Sequence, residues 1–177
     1  MQKLTERFGI KQGILVGDRG TLPDTQIQGQ LKDLEGWDWI TALRAVQIRK
    51  LLATGTLKLE QFESQCWIEI ESETYPSERL IACRNGHLAH QLGHKREELL
   101  TATETELDKI VVATSRSKQR LQGKAEIGLR VGKVVNRFKV AKYFELSITD
   151  SQFSYQRRSD KIDADAQLDG LYVIRTS

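Results

Sequence analysis

No apolar run in this chain approaches the roughly 20 residues that a membrane-spanning helix needs, which excludes a helical transmembrane reading. The opening Met1-Gln2-Lys3-Leu4-Thr5-Glu6 lacks the apolar stretch of a secretory signal. Cysteine is scarce. Cys66 and Cys83 form no CxxC pair, and they read as buried or half-buried thiols of a cytoplasmic protein without a membrane partner. Internal repeats, low-complexity linkers and a flexible tail are also missing. What remains is 177 residues, 39% hydrophobic and 29% charged, which suits a globular chain with one ordinary core.

The formal charge of +3 and a pI near 8.9 are mildly basic, which permits a nucleic-acid partner without demanding one. Distribution says more than the sum. Acidic residues gather between Glu97 and Asp108, and basic ones dominate from Arg116 to Arg158. A segregated basic half suits phosphate, although charge runs are more often solvated faces.

Residues 13–17, Gly-Ile-Leu-Val-Gly, form a short apolar run of the kind found in a strand buried on both faces. Thr21-Leu22-Pro23-Asp24 then reads as a helix start with Thr21 as cap, and Ile27, Leu31 and Leu34 recur on one helical face. Residues 37–43 read as a second strand, so the pair with its short helix predicts a parallel crossover. Residues 47–54 suit a short helix closed by Gly55. Residues 66–71 and 79–83 suit two antiparallel strands around Tyr75-Pro76. A long helical stretch is predicted from His87 to Arg120, with Leu100, Leu107, Ile110, Val111 and Thr114 on one face.

Val131, Val134, Val135, Phe138 and Ala141 mark a further amphipathic segment, whose opposite face carries Arg130, Lys133 and Arg137. Phe144, Leu146 and Ile148 alternate with polar residues as a half-buried strand, turned by Asp150-Ser151 into a partner with Phe153 and Tyr155. A short helix capped by Ser159 and a last strand over residues 171–176 complete the pattern. Residues 1–8 read as part of an amphipathic helix through Leu4 and Phe8. The fold class expected is α/β, or α+β overall.

Asp18 follows the first apolar run, at the carboxyl end of its strand, the edge where open α/β sheets form sites. Its carboxylate is a hard oxygen ligand suited to Mg²⁺, and Gly17 and Gly20 permit close approach of backbone or phosphate. The same residue types equally suit an aspartate that caps the turn after the strand. Composition and spacing leave both open.

The run Gly13-Ile14-Leu15-Val16-Gly17-Asp18-Arg19-Gly20, with Trp37-Asp38-Trp39-Ile40-Thr41-Ala42-Leu43-Arg44 after it, resembles the middle of the DDE transposases of bacterial insertion sequences. The resemblance continues through Arg79-Leu80-Ile81-Ala82-Cys83-Arg84-Asn85, Lys95-Arg96-Glu97-Glu98-Leu99-Leu100 and residues 133–144. It ends in residues 168–176, and so covers essentially the whole chain. The resemblance implies a partial ribonuclease H-like core over residues 1–45, a mixed and largely β insertion with one long helix over 46–167, and a returning core strand over 168–177. It implies two-metal phosphoryl transfer with Mg²⁺ or Mn²⁺ held by three acidic residues. Asp18 matches the second of these, and the first aspartate and the glutamate are expected outside these residues, which predicts no strand transfer from the chain alone. The implied partner is double-stranded DNA, as transposon ends and target, engaged by a dimer. Arg19, Lys133, Arg137 and Lys139 are the candidate phosphate contacts.

Two other groups stand beside this reading. His87, His90 and His94, at i, i+3 and i+7, are spaced to present imidazoles to zinc or nickel, or simply form a polar helix face. Trp37, Trp39 and Trp67 are candidates for base stacking, with core packing as the plainer alternative. The competing functional classes are a non-enzymatic DNA-binding remnant and a small metal-dependent nuclease complete in itself.

Overall fold

The computed structural model describes residues 6–18, 20–32 and 34–177. Strand β1 (Gly13–Val16) is followed by a short helix, α1 (Asp24–Gln26), which runs on into a π-helical turn, Ile27–Leu31. Strand β2 (Trp37–Ala42) and helix α2 (Ala45–Ala53) come next, then the strands β3 (Trp67–Ile70) and β4 (Arg79–Arg84). Helix α3 (Gly86–Ser115) and helix α4 (Lys124–Phe138) precede the strands β5 (Phe144–Ile148) and β6 (Phe153–Arg157), helix α5 (Ser159–Ala166) and strand β7 (Leu171–Thr176). Helices and strands both contribute heavily, so the α/β class stands. No helix among the described residues is long and apolar enough to cross a membrane.

The chain divides into two compact units, one formed by 1–86 with 170–177 and the other by 87–169. The two units meet in the chain at 86/87 and 169/170. The reason is strand pairing: β3 and β4 join the sheet of the first unit, in the order β1-β2-β7-β4-β3. β1 and β2 are parallel, as predicted, with Leu15 opposite Trp39 and Val16 opposite Ile40. β7 enters between them and the hairpin, antiparallel to β2 and to β4.

One face of this sheet is covered. Ile27 and Leu31 from the π-helical turn pack with Leu22, Trp39 and Leu15. β1 itself is an edge strand among the described residues, and Ile14 and Val16 are 62% and 75% exposed. The expectation of burial on both faces fails there because a continuous apolar run does not distinguish a central strand from an edge strand. Helix α2 buries Ile48 and Leu51 and ends before Gly55, whose φ of +73° supplies the left-handed turn predicted there. Pro23, not Thr21, is the N-cap of α1, because Thr21 is already held in the turn after β1.

Arg175 on β7 alternates in phase with Leu171 and Val173 and is 3% exposed, a charge aimed into the covered face. Its guanidinium donates to both carboxylate oxygens of Glu78, with Nη2 2.9 Å from Oε1, and to Asp24. Burial pulls its pKa down, but the hydrogen bonds it donates to Glu78 and Asp24 more than offset this and raise it above the ordinary value. The guanidinium also lies over the rings of Tyr75, at 4.6 Å, and Trp39, at 5.2 Å. The last strand, α1 and the turn before β4 are thereby tied at one point.

In the second unit, α3 buries Leu100, Thr103, Leu107, Ile110 and Thr114, close to the predicted face. Leu100, Leu107 and Ile110 pack with Ile127, Val131 and Val135 of α4 and with Phe144 and Phe153 of the β5–β6 hairpin. The hairpin register pairs Phe144 with Arg157 and Ile148 with Phe153. Helix outweighs strand in this unit, so a largely β segment is not what packs there. The valine-rich stretch 131–135 supplies a helical stripe at 3.6-residue spacing, and only the short alternating stretches become strands. Arg158 is the N-cap of α5, with Ser159 as its first residue.

Removing one partner of a buried ion pair leaves an uncompensated charge, a loss of about 3–5 kcal/mol. Glu78→Ala leaves Arg175 with Asp24 alone and should destabilise the first unit by up to that order in urea unfolding followed by tryptophan fluorescence. Glu69→Ala breaks the exposed pair with Arg79 and should barely move the midpoint. Equal shifts for the two variants would remove Arg175 from its structural role.

Candidate functional site

Asp18 sits two residues beyond β1, exposed, where Gly17 N–H still donates to Ile40 O at 3.0 Å. Its Oδ1 accepts three hydrogen bonds: from Gly20 N at 3.0 Å, Thr21 N at 2.8 Å and Thr21 Oγ1 at 2.6 Å. Its backbone oxygen accepts from Thr21 N, Leu22 N and the buried Thr41 hydroxyl, the last at 3.2 Å. The carboxylate thus holds the turn that leaves the strand, as Asx turns do. The turn-capping alternative for Asp18 is what this geometry displays.

Gly17 is needed for packing. A Cβ there would lie 2.8 Å from Leu22 Cγ, so the close approach at this glycine is made by the protein's own side chain and not by a ligand. Beyond Thr41 opens a cleft of about 440 Å³, lined by Asp24, Thr41, Arg44, Gln47 and Arg175. Gln47 bridges here: its Oε1 accepts from Arg44 N at 2.8 Å, and its Nε2 donates to Asp24 Oδ2 at 3.0 Å. Sequence reading placed no function on Arg175, although its in-phase position on an alternating strand is a legible sign of a buried, partnered charge.

Among the described residues, no group of three His, Cys, Asp or Glu side chains is gathered to hold a metal. Asp18 alone does not make the three-carboxylate, two-ion arrangement, so the residues present do not fit Mg²⁺ or Mn²⁺ as a two-metal centre. No chemical step follows from it in this chain. The three histidines are exposed along the start of α3: His87 Nε2 lies 3.0 Å from Gln91 Nε2, and His94 Nδ1 lies 3.6 Å from Glu98 Oε1. They form a polar helix face.

Of the predicted phosphate contacts, Arg19 lies outside the described residues. Lys133 and Arg137 are exposed on α4, away from its buried Ile127, Val131 and Val135. They are one helical turn apart, so their charges face the same side. Lys139 follows at the helix end with φ +57°, and it too is exposed. Among the described residues, Lys133 and Lys139 have no ion-pair partner.

Other parts of the basic segment are committed to the fold. Arg157 forks onto Glu104, at 2.7 and 2.6 Å, and reaches Glu97, which raises its pKa through those hydrogen bonds against the pull of burial. Arg120 donates to the carbonyls of Thr114 and Ser151, Arg130 pairs with Glu126, and Lys142 pairs with Asp165. The acidic stretch 97–108 and the basic stretch 116–158 therefore partly neutralise each other within one unit. The tryptophans divide as well: Trp39 is 1% exposed in the core, Trp37 is half-buried, and Trp67 is 57% exposed on a strand.

An amide oxygen accepts hydrogen bonds as a carboxylate oxygen does, so Asp18→Asn should keep the turn and nearly all the stability. Asp18→Ala removes the acceptor and should cost about 1 kcal/mol, read as a shift in the urea midpoint of the first unit. Loss of the same size in both variants would show that the charge, and not the acceptor geometry, holds this turn.

Comparison with protein-family models, with curated proteins and with solved structures found no match for this chain.

Proposed function

We propose that the chain is part of a DDE-type DNA transposase, carrying one of its metal-binding carboxylates, Asp18, together with a basic helix that contacts DNA. The order of the sequence blocks from Gly13 to Thr176 supports the parentage. The exposed carboxylate at the carboxyl end of a strand paired in parallel with its neighbour is compatible with it. On this reading, the intact enzyme cleaves DNA and transfers strands by metal-assisted phosphoryl transfer, a step for which the described residues gather no set of three carboxylates.

The observation that carries the reading for this chain is the state of Lys133, Arg137 and Lys139. They are exposed at one end of α4 while the neighbouring Arg120, Arg130, Lys142 and Arg157 are engaged in the fold. Lys133 and Lys139 are left out of the ion pairs among the described residues, and Arg137 lies over the Phe138 ring at 5.3 Å, so all three keep their charge available to phosphate, whose contacts position a protein without reading sequence. The chain by itself is thus a duplex-DNA-binding piece without catalysis. A non-enzymatic DNA-binding remnant shares this prediction, because both readings use the same helix face.

Duplex binding should weaken steeply with salt, and Lys133→Ala with Arg137→Ala should flatten the slope of log affinity against log salt by about 2. Nicking of supercoiled DNA should be absent in Mg²⁺ or Mn²⁺. Unchanged affinity in the double variant would dismiss α4 as the DNA contact. Metal-dependent nicking abolished by Asp18→Ala would replace this reading with a self-sufficient nuclease.

A further inference from the structure

Helix α4 buries one stripe in its own unit and turns the opposite face outward. Ile127, Val131 and Val135 enter the core of the unit 87–169, and at about 100° per residue Leu129, Lys133 and Asn136 fall on the other side. Leu129 is 55% exposed, and Lys133, Asn136 and Arg137 are exposed as well. Arg137 lies over the Phe138 ring at 5.3 Å and its charge reaches Glu106 of α3, while Arg130 pairs with Glu126. The helical wheel puts these cations and Glu126 on one side of the outward crest. On its other side are Gly128 and Gly132, where an added Cβ would meet nothing within 4 Å. The crest itself is Leu129 and Asn136, neither of them charged.

Asn136 is the member of this face that the fold does not explain. Asparagine is a poor helix former, and among the described residues its side chain makes no hydrogen bond that would offset this. An uncharged amide adds nothing to long-range attraction of phosphate. Its donor and acceptor together match N6 and N7 of adenine, which the major groove presents side by side. Leu129 has no part in phosphate attraction either, and an apolar side chain at a groove floor suits the thymine methyl group. Seven helical residues rise ~10.5 Å, the height of about three base pairs at ~3.4 Å each. A helix about 10–12 Å across with its side chains also fits a major groove about 12 Å wide. Resting on the reading of α4 as the DNA contact, we propose that α4 lies in the major groove and reads base edges. Asn136 takes an adenine, and Leu129 takes a thymine methyl about three base pairs away. Lys133 and Arg137 then hold phosphates of one groove wall, and the glycine side leaves room for the other. The cations alone would bind any duplex; the crest makes the binding sequence-selective.

Selection of bound duplexes from a randomised library by the full chain tests this. The expected result is enrichment of sites with an adenine and a thymine about three base pairs apart. At one salt concentration, the parent chain should bind a selected site about tenfold or more tighter than a scrambled duplex. Asn136→Ala should keep the far-ultraviolet circular dichroism and the affinity for the scrambled duplex, and lose that ratio. Replacing the adenine by 7-deazaadenine removes N7, so it should weaken the parent chain and leave Asn136→Ala unmoved. Uracil in place of the thymine should likewise weaken the parent chain and spare Leu129→Ala. Equal binding of all sequences, or selectivity that survives Asn136→Ala, would overturn the base readout and leave the phosphate contact of α4 standing. Absence of duplex binding at low salt would remove both.

Discussion

The position of β7 constrains the rest of the first unit. It enters between a parallel pair made near the start of the chain and an antiparallel hairpin made later, and hydrogen-bonds to both. Without it, β1–β2 and β3–β4 are two isolated ribbons, each too small to be stable in water. Arg175 adds a charge to this constraint. A buried guanidinium is tolerable only if its partners arrive in register, so Glu78 and Asp24 must both be in place for the strand to seat. The same tie positions α1 and the floor of the cleft beyond Thr41. Fold and candidate site therefore share one buried cation.

The second unit solves its charge problem differently. Glu97 and Glu104 lie on α3 near Arg157 of β6, and Asp108 accepts from the Tyr155 hydroxyl at 2.6 Å. Burial and this carboxylate push the Tyr155 phenol well above its ordinary pKa. Part of what looks in the sequence like an acidic block followed by a basic block is a set of contacts between α3 and the hairpin, made through Arg157 and Tyr155. The cations at the end of α4 are among those not absorbed, and they give an external polyanion an electrostatic reason to bind.

Much of the fold was legible from periodicity. The parallel pair, the hairpin around Tyr75-Pro76, the face of α3 and the last strand are all stated by spacing of apolar residues, because burial on one side writes a period into the chain. Two things were not. The edge position of β1 is invisible, since Ile14 and Val16 read the same whether covered or open. The division into units is set by which strands pair over long distance, and β3 and β4 carry no local mark of joining the sheet through β7. At the site, the acceptor role of Asp18 was one of two open alternatives, and the hydrogen bonds to Gly20 and Thr21 display that role. The other role, as metal ligand, depends on carboxylates that no spacing among the described residues assembles.

The central claim is that this chain meets DNA through the end of α4 and not through Asp18. Titration of a duplex into uniformly ¹⁵N-labelled protein, followed by amide chemical shifts, tests it most directly. The account predicts salt-sensitive shifts that cluster at Lys133, Arg137 and Lys139 while Asp18, Gly20 and Thr21 stay in place. Shifts centred on the turn after β1, with α4 unmoved, would contradict it.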